Sequence, residues 1–244
     1  MDKHGNAHEA TPLIGQRTEP RTGEGQVVPM KYSYLRRTTG TRVRAFEGDL
    51  ALQYIYSADT HPFSETRRRL RNIIVWAGAI FQSRMFTVDG GDAVIYYAPP
   101  KPLRLVKLVV DVLARFMSPE ARKRRKEVDS ALEEIIKREF GDRVEDMYEV
   151  KGLAVTPEKQ GRGYATALMR TVLDKSDTEG KDSWVVTGRS HTFYATLGYT
   201  IVGTGQTGGE NPTWSHGPVD WIVTREQRAL SVMCACPPAK RSAL

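Results

Sequence analysis

Leu153-Ala154-Val155-Thr156-Pro157-Glu158-Lys159-Gln160-Gly161-Arg162-Gly163-Tyr164-Ala165 is the stretch on which the reading of this chain turns. Val150, Leu153 and Val155 supply the apolar side of a strand from Tyr148 to Val155, and Pro157 ends it. A turn bearing Gly161 and Gly163 follows. Behind it Ala165, Leu168, Met169, Val172 and Leu173 recur at helical spacing. A helix that begins on such a turn leaves its first backbone N–H groups without partners, and its dipole adds roughly half a positive charge there. Glycines have no Cβ, so a bulky anion can approach the main chain closely. The stretch reads as a backbone cradle for a phosphate or diphosphate. It is not the nucleotide P-loop, because no Gly-Lys-Ser/Thr follows, nor the dinucleotide fingerprint, which needs three spaced glycines.

Downstream, Trp184-Val185-Val186 is a short buried strand, a helix runs from His191 to Leu197 and stops at Gly198, and Ile201-Val202 and Val219 to Val223 are closing strands. Upstream, helical patterns cover Arg44 to Tyr56 and Ser64 to Gln82. Met85 to Val88 and Ala93 to Tyr97 flank Asp89-Gly90-Gly91-Asp92 as a hairpin. A helix spans about Leu103 to Met117. The next one starts after Ser118-Pro119, a cap and first-turn proline, and runs to Phe140. Its basic start, Arg122 to Lys126, reads as a solvated face.

The chain has 244 residues, 40% of them apolar, which suits one domain with tails. Residues 1–30, rich in Gly, Pro, Thr, Glu and Gln, read as a disordered lead-in; residues 31–226 form the domain and 227–244 a second tail. The net charge of +7 suits nucleic acid, an acidic membrane or a polyanionic cofactor and cannot choose among them. Cys234 and Cys236 are too close for an ordinary disulfide and lack a second pair for zinc, so two reduced thiols and no metal are expected. An intracellular, cytoplasmic setting follows as the default, with no membrane span and no secretory signal. The ending Lys240-Arg241-Ser242-Ala243-Leu244 is only distantly similar to a peroxisomal Ser-Lys-Leu.

Gln160-Gly161-Arg162-Gly163-Tyr164-Ala165 resembles the Gln/Arg-x-x-Gly-x-Gly/Ala pattern of the GNAT superfamily of acetyl-CoA-dependent N-acetyltransferases. About thirty residues on, Phe193-Tyr194-Ala195-Thr196-Leu197-Gly198-Tyr199 is similar to that family's Phe-Tyr-x-x-x-Gly-Phe/Tyr signature. The resemblance implies an α/β (α+β) fold: a mixed, mostly antiparallel central sheet flanked by helices, with a parallel strand pair around Val155 and Val186 splayed to admit the cofactor. It implies acetyl-CoA as co-substrate, an amine of a small molecule or peptide as acceptor, and direct attack in a ternary complex. Backbone groups of the strand at Leu153, Ala154 and Val155 would meet the pantetheine arm, the N–H groups of Gln160 to Ala165 the diphosphate, and Thr187 the cofactor at the mouth of the next strand. Tyr194 stands where many members keep a tyrosine near the sulfur. Glu149, eleven residues before Gln160, stands where histone-type members carry a glutamate. The chain before Val43 shows no clear first strand of the family.

That chemistry needs a base and an acid. A lysine-like amine with a pKa of about 10.4 is almost wholly protonated at neutral pH, and a carboxylate such as Glu149, acting through water, can remove the proton. A phenol such as Tyr194 can protonate the departing thiolate, and a strand N–H near Leu153 can meet the oxyanion. Glu149 can equally be a solvated partner of Lys151, and Tyr194 a packed ring. His191, His216 and the loop-borne Trp214 are further pocket candidates, with packing as the blander role for Trp214 and Trp221. Two other functions remain open: a catalytically inactive CoA-binding or protein-interaction module of the same fold, and a basic nucleic-acid binder using Arg67 to Arg71 and Arg122 to Lys126, which lacks a readout motif.

Overall fold

The computed structural model describes residues 25–101 and 105–226. The expected C-terminal tail, Cys234 and Cys236, and the final Lys240 to Leu244 lie outside the described residues, as does most of the expected lead-in. The lead-in was drawn to residue 30. Within it, however, Val27 packs against the core and β1 (Val28–Pro29) pairs antiparallel with β2 (Met85–Val88), so the domain starts before residue 31.

Seven strands form one sheet in the order β1-β2-β3-β4-β5-β7-β6, with β3 at Ala93–Ala98, β4 at Tyr148–Val155, β5 at Ser183–Thr187, β6 at Tyr199–Thr207 and β7 at Val219–Glu226. Every neighbouring pair is antiparallel except β4–β5. The hairpin expected at Asp89-Gly90-Gly91-Asp92 is present, with Asp89, Gly90 and Gly91 all at positive φ.

Helix α6 (Tyr164–Thr178) buries Leu168, Met169 and Val172 on one face of the sheet, against Val88, Ile95, Tyr97, Tyr148 and Val150. On the other face α1 (Leu35–Ala45) and α3 (Ser64–Phe81) cover Met85, Val94 and Ala154 through Trp76 and Ala79. There too α2 (Leu50–Tyr56) and α5 (Pro119–Phe140) close over β6 and β7. The short α4 (Leu105–Ala114) precedes α5, and α7 (His191–Ala195) follows β5.

The helix read over Arg44 to Tyr56 is two helices. Gly48, at φ 78°, breaks the run, and the Asp49 carboxylate caps α2 by accepting from the Leu52 N–H at 2.9 Å. Ser118 and Pro119 start α5 as expected. The basic run on α5 is not uniformly solvated. Arg124 is 2% exposed, donating to the carbonyls of Tyr54 and Thr213 and to Glu120. It clamps α2 and the loop after β6 onto α5. Glu127 completes the clamp by accepting from the Tyr54 hydroxyl at 2.6 Å and the Gly208 N–H at 2.8 Å. Gly203 and Gly205 let α5 lie directly on β6, since a Cβ at either would stand 2.5 or 2.8 Å from Ile135.

Candidate active site

The parting of β4 from β5 has a local cause. The two strands pair only at Tyr148↔Ser183, Glu149↔Trp184 and Val150↔Val185. Beyond Val150, β4 carries a bulge: Tyr97 opposes Val150 and Tyr96 opposes Gly152, which leaves Lys151 as the extra residue. A bulge bends its strand and shifts the side-chain alternation by one. Hence Tyr148 and Val150, but then Leu153 and Val155, pack toward α6. β5 meanwhile stays with β7 through Val186↔Val223 and Thr187↔Ile222.

The bend leaves part of β4 unpaired on one side. Thr156 donates its N–H to the Asp92 carbonyl of the hairpin at 2.8 Å. Backbone direction alternates along an antiparallel ladder, so Ala154 and Gly152 also face β3, while Leu153 and Val155 turn theirs away from it. The Val155 carbonyl accepts from the Gln160 side chain at 3.3 Å on that side.

The strand leads through Pro157 into the glycine turn. Gly161 and Gly163 adopt φ of 74° and 82°, in the left-handed region. Gly163 is the N-cap of α6 and offers no side-chain cap, and the first helical bond is Ala167 N–H to the Gly163 carbonyl. The helix therefore leaves its leading N–H groups to outside acceptors. A Cβ built on Gly161 would meet no atom within 4 Å. Arg162 reaches back to the Glu158 carbonyl, and Tyr164 turns its side chain inward to donate to Asp89 at 2.7 Å. Lys159 pairs with Asp89 and Asp92, both at 2.8 Å, tying the loop to the β2–β3 hairpin. Hydrogen bonds from Lys159 and then Tyr164 hold the Asp89 carboxyl below its ordinary range.

A cavity of about 1010 Å³ opens where the strands part. Glu149 to Ala154 line it from β4, Thr187 from β5, His191 and Tyr194 from α7, Arg42 and Trp76 from α1 and α3, and Tyr96 from β3. The structure thus gathers Glu149, Leu153, Ala154, Thr187 and Tyr194 around one space. Gln160 to Ala165 do not line it; they stand at the far end of the unpaired strand.

The carboxylate of Glu149 is 22% exposed and pairs with Lys151 at 2.5 Å. Tyr194 sits edge-on to Phe193 and Tyr199, and burial pushes its phenol up to about 12. His191 lines the cavity with Nδ1 buried and lacking a hydrogen-bond partner. His216 lies tilted against Trp214 outside the cavity lining; Trp214 is a buried packing residue with its N–H on Gly217, while the buried Trp221, its N–H on Thr207, also lines the cavity. The sequence reading missed Arg42, Trp76 and Tyr96. The Gly48-Asp49 punctuation, taken as a helix boundary, would have separated α1 and brought Arg42 forward.

Among the described residues no group of three or more His, Cys, Asp or Glu side chains could hold a metal ion, and no helix is long and apolar enough to cross a membrane.

The mixed sheet with one parallel pair, flanked by helices, is GNAT-like. The resemblance seen in the two motifs is borne out: residues 138–202 match the acetyltransferase (GNAT) domain model, and this segment spans both. The fold is shared with a mosquito arylalkylamine N-acetyltransferase-like 5b at 16% identity and a TM-score of 0.57, covering 82% of this chain and 99% of that one. It is shared as well with an agmatine N-acetyltransferase mutant in its apo form, at 15% identity and a TM-score of 0.50, covering 82% and 97%. Against a GCN5-related N-acetyltransferase from Kribbella flavida (17% identity, TM-score 0.42) the match covers 73% of this chain but only 33% of that one. No curated protein matches the sequence.

Proposed function

We propose that this protein is an N-acetyltransferase that moves the acetyl group of acetyl-CoA to a primary amine by direct attack in a ternary complex. The observation that carries the proposal is the unpaired edge of β4, running from beyond Val150, inside the cavity, to the leading N–H groups at the start of α6. An edge of this kind accepts an extended, amide-bearing arm as an additional strand, and the helix N-terminus accepts its diphosphate. Leu153 and Val155 would pair with the arm, with Ala154 held by β3 between them. Gln160, Gly161, Arg162, Gly163, Tyr164 and Ala165 would hold the diphosphate through main-chain N–H groups, and Thr187 would contact the cofactor from β5. The open space at Gly161 fits this use.

Acetyl-CoA supplies the acyl group as an activated thioester. The Leu153 N–H, directed into the cleft, is the donor available to the carbonyl oxygen on which charge develops. Glu149 lines the same cavity and takes the ammonium proton, directly or through water, with Lys151 paired beside it. Tyr194 stays protonated throughout the neutral range because burial raises its pKa to about 12. A phenol that weak cannot hand its proton fully to a thiolate of pKa about 8.5, so its part is a hydrogen bond to the departing sulfur.

The Glu149–Lys151 ion pair also favours a second reading, a CoA-binding module without turnover, in which the carboxylate serves only its neighbour. Both readings place the chain inside the cell, where CoA thioesters are found. Incubation of the full chain with acetyl-CoA and a panel of amines, followed by thiol release and product mass, separates them. Acetylated amine formed in step with free CoA thiol supports the transferase. Acetyl-CoA binding with no product from any amine supports the module.

A further inference from the structure

Arg42 enters the cavity from α1, half-buried, and its guanidinium faces Tyr96, Tyr56, Arg68 and Arg71 but no carboxylate. Its other close contact is the Phe46 ring, at 5.8 Å. Arg68 and Arg71 lie over the ring of Tyr56 at 5.3 and 5.4 Å. Their neighbours on α3 are engaged: Arg67 with Asp59 and the Phe116 carbonyl, Arg69 with Glu65. Asp59, which lines the same small pocket as Arg68 and Arg71, also accepts from the Ser118 N–H. None of the cavity's carboxylates pairs with Arg42 either. Glu149 holds Lys151, Asp220 accepts from Gln206, and Asp49 caps α2.

Two guanidinium groups therefore lie over one tyrosine with a third close by, and none of Arg42, Arg68 and Arg71 forms an ion pair among the described residues. Burial, then Arg71 and Arg68, push the Arg42 pKa below its ordinary value against the opposing pull of Tyr96 and Tyr56. A half-desolvated cation among like charges is relieved by an oxyanion, and the arginine fork is shaped to hold one through two hydrogen bonds. Arg42 lines the cavity that also holds Glu149 and Tyr194, while Arg68, Arg71 and Tyr56 line a small neighbouring pocket with Asp59; the diphosphate cradle stands outside both.

We infer that Arg42, backed by Arg68 and Arg71, anchors an anionic group of the acceptor, so that the substrate is an amine that also carries a carboxylate or phosphate. The inference rests on the acetyl-transfer reading for the identity of its ligand. The cationic site itself does not.

The test uses the full chain, Arg42→Ala and Arg71→Gln. Matched amines are compared by thiol release: 4-aminobutyrate against butylamine for the carboxylate, O-phosphoethanolamine against ethanolamine for the phosphate. The parent should favour one anionic member about tenfold or more in kcat/KM, and which pair shows it identifies the group. Arg42→Ala should abolish the preference and Arg71→Gln reduce it. In parallel, inorganic phosphate should raise the Tm of the parent saturated with acetyl-CoA, whose cradle is then filled, but not that of saturated Arg42→Ala. Equal or better use of the neutral amines by the parent overturns the inference, as does a preference that survives in both variants. Loss of acetyl-CoA stabilisation in Arg42→Ala overturns it too, by placing the arginine on the cofactor. If acetyl-CoA fails to stabilise the parent, the acetyl-transfer reading falls; the phosphate shift without acetyl-CoA then decides the site by its presence in the parent and loss in Arg42→Ala.

Discussion

Replacing Gly161 by alanine separates what the glycine does for the backbone from what it does for a ligand. At φ 74° an L-residue costs about 1 to 2 kcal/mol, and the new methyl meets no atom within 4 Å, so strain is the whole penalty in the free protein. For a domain of this size, about 1 kcal/mol lowers Tm by roughly 2–4 °C. That strain is present with and without ligand and cancels from the affinity. The methyl, however, projects beside the N–H groups proposed to hold the diphosphate. Losing one charge-assisted hydrogen bond of about 1.5–3 kcal/mol would weaken acetyl-CoA by about ten- to a hundredfold. Gly180, at φ 65° and equally uncrowded, lies just beyond the other end of α6 and serves as control: Gly180→Ala should lower Tm similarly and leave affinity alone. Calorimetric titration of acetyl-CoA into both variants, with apo thermal scans, provides the assay. A Gly161→Ala protein with the expected Tm loss but less than about twofold change in affinity would refute the cradle.

At Gly152 a Cβ would stand 2.4 Å from the Tyr96 ring, so Gly152→Ala should cost about 1–3 kcal/mol of stability in a urea titration and displace Tyr96 into the cavity, raising the acceptor KM more than it changes acetyl-CoA affinity. Glu149→Gln should lower kcat by about a hundredfold or more while acetyl-CoA binding persists; a change of only a few fold would return Glu149 to the role of partner for Lys151. The Tyr194 pKa is about 12 in the fold against about 10 in the unfolded chain, so the folded state holds the proton more tightly. Its stabilising effect is complete below pH of about 10 and is lost as pH rises toward 12. Tyr194→Phe should flatten that alkaline decline, read as Tm against pH.

What could be read from the sequence was local chemistry. The strand at Tyr148, the Gly161–Gly163 turn, the hairpin at Asp89 and the Ser118-Pro119 start of α5 are set by residues close in the chain, and each stands where its pattern placed it. The missed features depend on distant partners. The bulge at Lys151 is visible only against β3, and β1 is too short to carry a period of its own. Arg124 reads as one charge in a basic run until Tyr54 and Thr213 fold over it. Arg42 likewise becomes notable only when the fold places it in the cavity near Arg68 and Arg71 with no ion-pair partner among the described residues. The proposed cofactor end was legible because it is built of main chain and glycine. The proposed acceptor end takes side chains from α1, α3, β3 and β4.

The most direct measurement is calorimetric titration of acetyl-CoA into the full-length protein. One site per chain, with heat that vanishes in Gly163→Glu, is the predicted result, because a carboxylate at the N-cap of α6 would meet the diphosphate charge to charge. A well-folded protein that takes up no acetyl-CoA, or binds it unchanged in Gly163→Glu, would contradict the assignment of the β4 edge and the α6 N-terminus as the coenzyme site.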